Sequence, residues 1–333
     1  MPYRAIQVRR ATDPSAANTV ELLDLPDDSL ADPALGEVVV DIEYSSLNFK
    51  DGLALTGRPG VVRPAVLTAG IDLVGTVRES TSPEVTVGQR VLVNGCGLSE
   101  THPGGLAERA RVHAEWVVPV PERFSSRQAA AVGTAGYTAA LCILSLRRSG
   151  LDEGADVAVT GAAGGVGTIA LLLGRAAGWS MAAITGRPAL GHTLRALGAV
   201  HVLERSEFTQ PGRALQSARW DGAIDTVGGD ILANVISQLR YGGTAAACGL
   251  AASASLHVSM MPFILRGTVL AGVNSVDTPR PLRLAAWELL DRDLDLAALD
   301  SLTEEITLAE SLTAAERFAS GSVLGRIVVD VRR

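Results

Sequence analysis

Short runs in which apolar residues alternate with polar ones, or follow one another unbroken, fill the first third of the chain. "PYRAIQV", "EVVVDIEY", "DLVGTV", "QRVLVNG" and "ERARVHAEWVVPV" have strand length, and Gly, Pro and Asp turn signals divide them. No helix-length periodic segment is expected before Ser125. This predicts a compact β domain of Greek-key or barrel character. The pattern changes at "PERFSSRQAAAVG", where Ser125 and Gln128 have the spacing of a capping box that opens a helix. Strands and helices then alternate. "ADVAVTG", "SMAAITG", "HVLER", "GAIDTVG", "GTAAACG" and "TVLAGVNS" read as strands, with helices such as "GVGTIALLLGRAAG", "ALGHTLRALGA" and "DILANVISQLR" between several of them. Six short apolar strands with helical crossovers predict a doubly wound parallel sheet, so the fold class is α/β.

The tail carries helices at "RPLRLAAWELLDR" and "SLTAAERFAS", an edge strand at "TEEITL" and a last strand at "GRIVVDV". The late β segment is expected to return to the first domain. The expected division is 1–122 with 297–333 for the β-rich catalytic domain and 123–296 for the nucleotide-binding domain.

Composition narrows the function classes. The 333 residues carry a net charge of −7, which argues against non-specific nucleic-acid binding. Cys96, Cys142 and Cys248 have no metal-finger spacing, and three sparse cysteines fit a reducing cytoplasm. The N-terminus "MPYRAIQVRR" lacks the apolar core of a signal peptide. "AAAVGTAGYTAALCILSL" has the length of a membrane span, but its glycines, threonines and Tyr137 make it a buried helix beside a sheet. No membrane or nucleic-acid partner is expected.

Two stretches carry candidate chemistry. In "VAVTGAAGGVGTIALLLGRAAG" a glycine loop follows a buried strand and opens a helix, the context that dinucleotide binding needs. Ala162 stands at the usual first glycine. Gly164 lets the backbone approach a pyrophosphate, and Gly167 lets the helix sit close to the strand. The second strand ends "AAITGRP", with Thr185, Gly186 and Arg187 where an acid would hold an NAD ribose. A forked guanidinium suits a 2′-phosphate, so the expected cofactor is NADPH. The other stretch is "YSSLNFKDGL", a strand end crowded with small polar groups, one Lys and one Asp. Asn48 is expected as a donor to substrate or ribose, or as a satisfied strand-end turn. Lys50 and Asp51 are expected as an orienting pair, a structural ion pair or a helix cap. Tyr44 is an acid candidate or a rim aromatic, Tyr137 and Cys142 are expected in the core, and His102 and His113 at the surface. His192 follows the Arg187 turn, where it would assist the phosphate or merely face solvent.

With "YSSLNFKDGLALTG", "AGIDLVGTV", "GGLAERARV", "GTAGYTAAL", "VTGAAGGVG", "ITGR", "AIDTVGG", "YGGTAAACGL" and "MPFILRG", the chain resembles the acrylyl-CoA reductase branch (AcuI/YhdH-type quinone oxidoreductases) of the medium-chain dehydrogenase/reductase superfamily. The similarity runs from about residue 3 to residue 330. It implies a GroES-like catalytic domain, a Rossmann domain, NADPH and a homodimer. Asn48 falls where the zinc-dependent members place their first Cys ligand, and Ile71 where their "GHE" places His. The four-Cys lobe is missing, so no metal is expected. By the resemblance Ala163, Gly164, Gly165 and Val166 face the pyrophosphate, and Thr185, Gly186, Arg187 and Arg205 the 2′-phosphate. Phe49 borders the nicotinamide, Leu250 and Ile264 pack on the cofactor, and Ser275 lies near the nicotinamide end. Thr68-Ala69 and Cys96 depart from the family pattern, and Cys96 is expected to alter the substrate pocket.

Without zinc, polarising an alcohol is difficult, whereas an enoyl thioester is already activated at its β-carbon. The expected reaction is reduction of acrylyl-CoA to propionyl-CoA by conjugate hydride transfer, with Asn48 and Asp51 as the catalytic candidates. A broader quinone or enone reductase and a non-catalytic NADPH-binding protein are the competing readings.

Overall fold

The computed structural model describes residues 2–13 and 15–333. Its strands are β1 (Tyr3–Arg9), β2 (Thr19–Leu25), β3 (Val38–Leu47), β4 (Val66–Thr68), β5 (Asp72–Ser80), β6 (Arg90–Asn94), β7 (Arg109–Val112), β8 (Val118–Pro119), β9 (Asp156–Thr160), β10 (Ser180–Thr185), β11 (Ala199–Glu204), β12 (Trp220–Asp225), β13 (Leu239–Ala247), β14 (Val269–Gly272), β15 (Thr303–Thr307) and β16 (Arg326–Asp330). The helices used below are α1 (Phe49–Leu55), α2 (Ser126–Arg148) and α3 (Gly165–Ala176).

Contacts divide the chain into two units. The first holds the residues up to Thr134, Val276–Leu284 and Leu299–Arg333. It contains a three-stranded sheet, β2-β1-β4, and a seven-stranded one in which β15-β16-β3-β5-β6-β8 form the path and β7 pairs with β3. The late strand β16 returns here, antiparallel to β3 with Ile327 opposite Leu47. β15 lies outermost, as an edge. Ile6, Val38, Val40, Leu73, Leu106 and Val329 are among the side chains that fill the core between the sheets.

Three local readings need adjustment. Strand β3 ends at Leu47, and α1, a seven-residue helix, begins two residues later. So short a helix completes too few turns to show a period. The run "ERARVHAEWVVPV" is not one strand, because a 3₁₀ turn at Ala114–Trp116 separates β7 from β8. The Ala114 N–H donates to Glu37 Oε2 at 3.0 Å there, instead of to a neighbouring strand. His102, expected at the surface, is buried, its ring nitrogens facing the Pro103 and Leu35 carbonyls at 3.0 and 2.9 Å.

The capping box forms. Ser125 N–H donates to Gln128 Oε1, and Gln128 N–H donates to Ser125 Oγ, both at 3.1 Å. Helix α2 breaks at Gly133, where φ is 49° and ψ −163°. Within it, 83% of the most apolar window is buried inside the protein, which suits a core helix.

The second unit, Ala135–Ser275 with Ala285–Ala298, holds a six-stranded parallel sheet in the order β11-β10-β9-β12-β13-β14. The order turns back between β9 and β12, the switch point at which doubly wound sheets take ligands. Ala158, Ala182, Ala183, Ala223, Ala245 and Ala246 are fully buried in these strands. Small side chains let the crossover helices pack close on both faces, and burial on both faces explains why the strands read as unbroken apolar runs.

Candidate functional site

In the first unit the polar rim is built where β3 meets β5. Ser46 Oγ donates to Asp72 Oδ2 at 2.7 Å and Asn48 Nδ2 donates to the same oxygen at 2.8 Å. Asn94 Nδ2, Thr134 Oγ1 and Thr134 N–H also donate to this carboxylate, at 2.7, 2.7 and 2.9 Å. Arg326, on β16, donates to Ser46 Oγ at 2.9 Å and to the Ala131 carbonyl at 2.7 Å. Asp72 and Arg326 are 0% and 2% exposed. A buried charge is tolerated only with such complete hydrogen bonding. Burial lowers the Arg326 pKa, and the Asp72 and Asp51 carboxylates oppose that shift.

Asn48 occupies the N-cap position of α1 without its side chain accepting from a helix N–H, and Asp51 supplies the cap's hydrogen bond. Asp51 Oδ2 accepts from Asn48 N at 2.8 Å and from Asn48 Nδ2 at 3.1 Å, while its Oδ1 accepts from Ile71 N at 2.9 Å. Of the alternatives open for Asp51, the structure shows the helix cap. Lys50 instead pairs with Glu100 at 2.9 Å, and Glu100 also takes Arg63 at 2.7 Å. Asp51 is fully buried, and burial, with the Asp72 carboxylate second, raises its pKa to about 7. Asn48 Nδ2 thus faces two carboxylates, and that fixes the amide orientation. Asn48 Oδ1 is left buried without a hydrogen-bond partner among the described residues. The free end of Asn48 is therefore an acceptor, since its amide N–H groups are spent on Asp51 and Asp72. Phe49 follows, and its ring is 45% exposed although it is large and apolar.

Asp72 and Arg326 as a buried pair of charges escaped sequence reasoning. The signal was present as Asp72 in the apolar run "DLVGTV" and Arg326 in "GRIVVDV", but nothing in the pattern joins them. Among the described residues, no three His, Cys, Asp or Glu side chains converge as they would around a metal ion.

In the second unit the expected cofactor residues gather at the C-terminal ends of the parallel strands. The glycine loop follows β9, Thr185 ends β10, Arg205 follows β11, and Leu250 and Ser275 lie three residues beyond β13 and β14. Ile264 lies on the short helix Met261–Arg266 and is largely exposed, like Leu250. Arg187 Nη2 donates to the Ala163 carbonyl at 3.0 Å, and Arg187 N–H to Thr185 Oγ1 at 3.1 Å, so the turn after β10 is tied to the glycine loop. The Arg205 guanidinium covers Gly186, where a Cβ would sit 2.8 Å from its Cζ. The structure thus brings Ala163, Thr185, Gly186, Arg187 and Arg205 together.

The loop has the shape that a pyrophosphate needs. A Cβ on Gly167 would lie 2.5 Å from the Gly161 carbonyl oxygen, so that glycine is required for helix–strand packing. A Cβ on Gly164 would meet only that same oxygen, at 3.3 Å, so the protein leaves this space open. Gly165 and Val166 start α3, whose first N–H groups have no partner within the helix and favour an anion. Behind the loop, Asp225 Oδ1 accepts from Thr160 Oγ1 at 2.6 Å and Asp225 Oδ2 from Gly228 N at 2.8 Å, which locks β9 to β12. Sequence reasoning did not single out Asp225.

Residues 34–122 match the alcohol dehydrogenase GroES-like domain, and residues 165–292 the zinc-binding dehydrogenase domain. The chain is 44% identical to the probable acrylyl-CoA reductase AcuI of Escherichia coli K12, covering 89% of this chain and 91% of that one. It is 43% identical to the acrylyl-CoA reductase AcuI of Ruegeria pomeroyi, over 91% of this chain and 92% of that one. Among solved structures, the yhdH oxidoreductase of Salmonella enterica in complex with NADP is similar at a TM-score of 0.94 and 42% identity, covering 98% of this chain and 99% of that one. With a GroES-like β unit followed by a Rossmann sheet, the chain belongs to the acrylyl-CoA reductase (AcuI/YhdH-type) branch of the medium-chain dehydrogenase/reductase superfamily.

Proposed function

We propose that this protein is an NADPH-dependent enoyl-CoA reductase that converts acrylyl-CoA and a proton to propionyl-CoA, with oxidation of NADPH to NADP⁺. The observation that carries the cofactor choice is the end of β10. Thr185 and Arg187, with Arg205 over Gly186, stand where an NAD site would need a carboxylate. Two guanidinium groups in that place suit a phosphate and repel nothing. The acrylyl-CoA reductase relatives carry the substrate.

NADPH, when bound, supplies the hydride that adds to the β-carbon of the thioester. The residues of the chain then have four tasks. Ala163, Gly164, Gly165 and Val166 hold the pyrophosphate on the N-terminus of α3. Thr185, Gly186, Arg187 and Arg205 hold the 2′-phosphate. Leu250, Ile264 and Phe49 supply apolar surface to the cofactor, and Ser275 a hydroxyl near its nicotinamide end. Asn48 and Asp51 form the rim. Asp51 is buried and acts by positioning, because both its oxygens are used to set Asn48 and the Ile71 N–H. Asn48 presents Oδ1 to a hydroxyl or amide N–H of the bound reactants. The proton for the α-carbon comes from another group, because the donors of Ser46, Asn48 and Thr134 are committed to Asp72 and Asp51. Asp51 itself keeps a proton below about pH 7, but it is fully buried.

Steady-state rates with acrylyl-CoA, crotonyl-CoA and a simple quinone, each with NADPH, test the reading. Acrylyl-CoA should be the best substrate. A quinone rate equal to or above it would favour a broader quinone or enone reductase, and tight NADPH binding without turnover a non-catalytic protein.

We further propose a cytoplasmic homodimer joined along β14. That strand is an open edge of its sheet, with Val269 and Leu270 exposed, and exposed Met260, Met261 and Leu265 precede it. An exposed apolar edge invites pairing with a second copy of itself. Light scattering should give a dimer mass, and Val269→Lys should lower it to that of a monomer.

A further inference from the structure

The first unit carries a hollow outside the rim. It is an open depression of about 510 Å³, lined by Arg10, Ala11, Thr12, Asp13, Asn18, Pro59, Gly60, Val62 and Arg63. That volume is within the range of small-molecule sites. Arg10 to Asp13 and Asn18 line one side and Pro59, Gly60, Val62 and Arg63 the other, and buried Asn18 fastens the two. Asn18 Oδ1 accepts from Ala11 N at 3.2 Å, Asn18 N donates to the Gly57 carbonyl at 2.8 Å, and Asn18 Nδ2 reaches the Arg58 carbonyl at 3.5 Å. Arg10 Nη1 donates to the Arg63 carbonyl at 2.5 Å.

The charge here runs against that of the molecule. The chain has a net charge of −7, yet Arg10 and Arg63 line the hollow with Asp13 as the one acid among its lining residues. Arg10 makes no ion pair with a carboxylate among the described residues, and Arg63 pairs with Glu100 at 2.7 Å. Asp13 is occupied by Ser15, whose N–H and hydroxyl donate to it at 2.9 and 2.8 Å. A chain of ion pairs runs from the hollow towards the rim: Glu100 holds Arg63, which lines the hollow, and Lys50, which sits two residues after Asn48.

We propose that this hollow holds the nucleotide end of the acyl-CoA substrate, with Arg10 and Arg63 on its phosphates. The inference rests on the enoyl-CoA reading above. A CoA thioester carries its phosphates at the far end of a pantetheine arm, so its enzyme gains by a cationic site set apart from the reacting carbons. Binding energy from that remote end is available to orient the acyl group. Lys50 then marks the path of the arm from the hollow to Asn48, and Glu100 holds Arg63 and Lys50 in place along it.

The test compares Arg10→Ala, Arg63→Ala and the double variant on acrylyl-CoA and on acrylyl-pantetheine, which lacks the nucleotide. The double variant should raise KM for acrylyl-CoA about tenfold, the scale of partly screened charged hydrogen bonds. Its kcat/KM on acrylyl-pantetheine and its KM for NADPH should stay within about twofold of wild type. Adenosine 3′,5′-bisphosphate should bind the wild type by calorimetry, weaken with salt, and bind the double variant about tenfold less. Equal losses on both thioesters, or an unchanged KM for acrylyl-CoA, would overturn the site. If neither thioester is reduced, the enoyl-CoA reading fails. The bisphosphate titration still judges the hollow, because it needs no turnover, and equal binding by wild type and variant would overturn it.

Discussion

Gly133 and Gly164 both lack a Cβ, but for opposite reasons. A Cβ on Gly133 would fall 2.6 Å from Ser46 Oγ, 2.7 Å from Asp72 Oδ2 and 2.8 Å from Arg326 Nη2. The protein itself fills that space, with the most polar cluster of the first unit. A Cβ on Gly164 would meet a single atom of the second unit, at 3.3 Å. The first glycine closes a structure, and the second leaves one open. The rim in the first unit is thus a finished object whose hydrogen bonds are spent on itself. The glycine loop in the second is a cradle that a ligand completes.

The sharpest way to break this contrast is to fill the closed site. Gly133 adopts φ 49° and ψ −163°, a region that costs any residue with a side chain. Adding strain to overpacking, Gly133→Ala should destabilise the protein by about 2–5 kcal/mol in urea unfolding. A loss below about 0.5 kcal/mol would show that the cluster is looser than its distances imply.

Asp51 tests the same cluster through pH. Its pKa in the folded protein is raised to about 7, first by burial and then by Asp72. Between the unfolded pKa of about 4 and this value, the folded chain keeps a proton that the unfolded chain has released. Stability is therefore greatest below that window and falls as pH climbs through it. From pH 5 to pH 8 this group should remove roughly 3 kcal/mol of stability. Asp51→Asn should abolish that slope, so the variant gains on wild type as pH rises. Denaturation curves at the two pH values measure the difference, and parallel losses would refute a buried neutral carboxyl.

How far the sequence carried the picture differs between the two units for a physical reason. The Rossmann sheet was legible strand by strand because its signals are local. An apolar run, a glycine loop and a helix follow one another, and "AAITGRP" shows the missing acid directly. The return of β16 to β3 was legible in outline, since a last strand needs a partner. The buried cluster was not. Its members come from β3, β5, β6, the break in α2 and β16, and a lone Asp or Arg in an apolar run does not name its partner. The orientation of Asn48 was illegible for the same reason, because two carboxylates that meet only in the fold decide it. His102 was misread as exposed, since its acceptors are carbonyls, which every residue has.

Arg187 sharpens the open side of the comparison. Burial lowers its pKa, and its Nη2 donates to the Ala163 carbonyl at 3.0 Å. A 2′-phosphate at the end of β10 would pair with the guanidinium. Arg187→Ala should raise KM for NADPH by about 10- to 100-fold, the value of one charged hydrogen bond. KM for NADH should change little, because NADH has no 2′-phosphate. An unchanged NADPH/NADH preference would remove Arg187 from the site.

The smallest effect is expected at Gly164, and it bears most directly on the contrast. Gly164 has φ −85° and ψ 176°, a conformation that alanine adopts without strain. Its replacement also restricts the unfolded chain, which stabilises by up to about 1 kcal/mol. Gly164→Ala should therefore leave unfolding unchanged or shift it slightly towards higher urea, the reverse of Gly133→Ala. The methyl group would occupy the space kept for the pyrophosphate, and KM for NADPH should rise about tenfold, on the scale of a modest steric clash. Stability and cofactor binding would then move apart at one glycine and fold integrity alone would fail at the other. If Gly164→Ala instead unfolds the protein, the loop is a packing device like Gly167. If it leaves both properties unchanged, the pyrophosphate lies elsewhere on the N-terminus of α3.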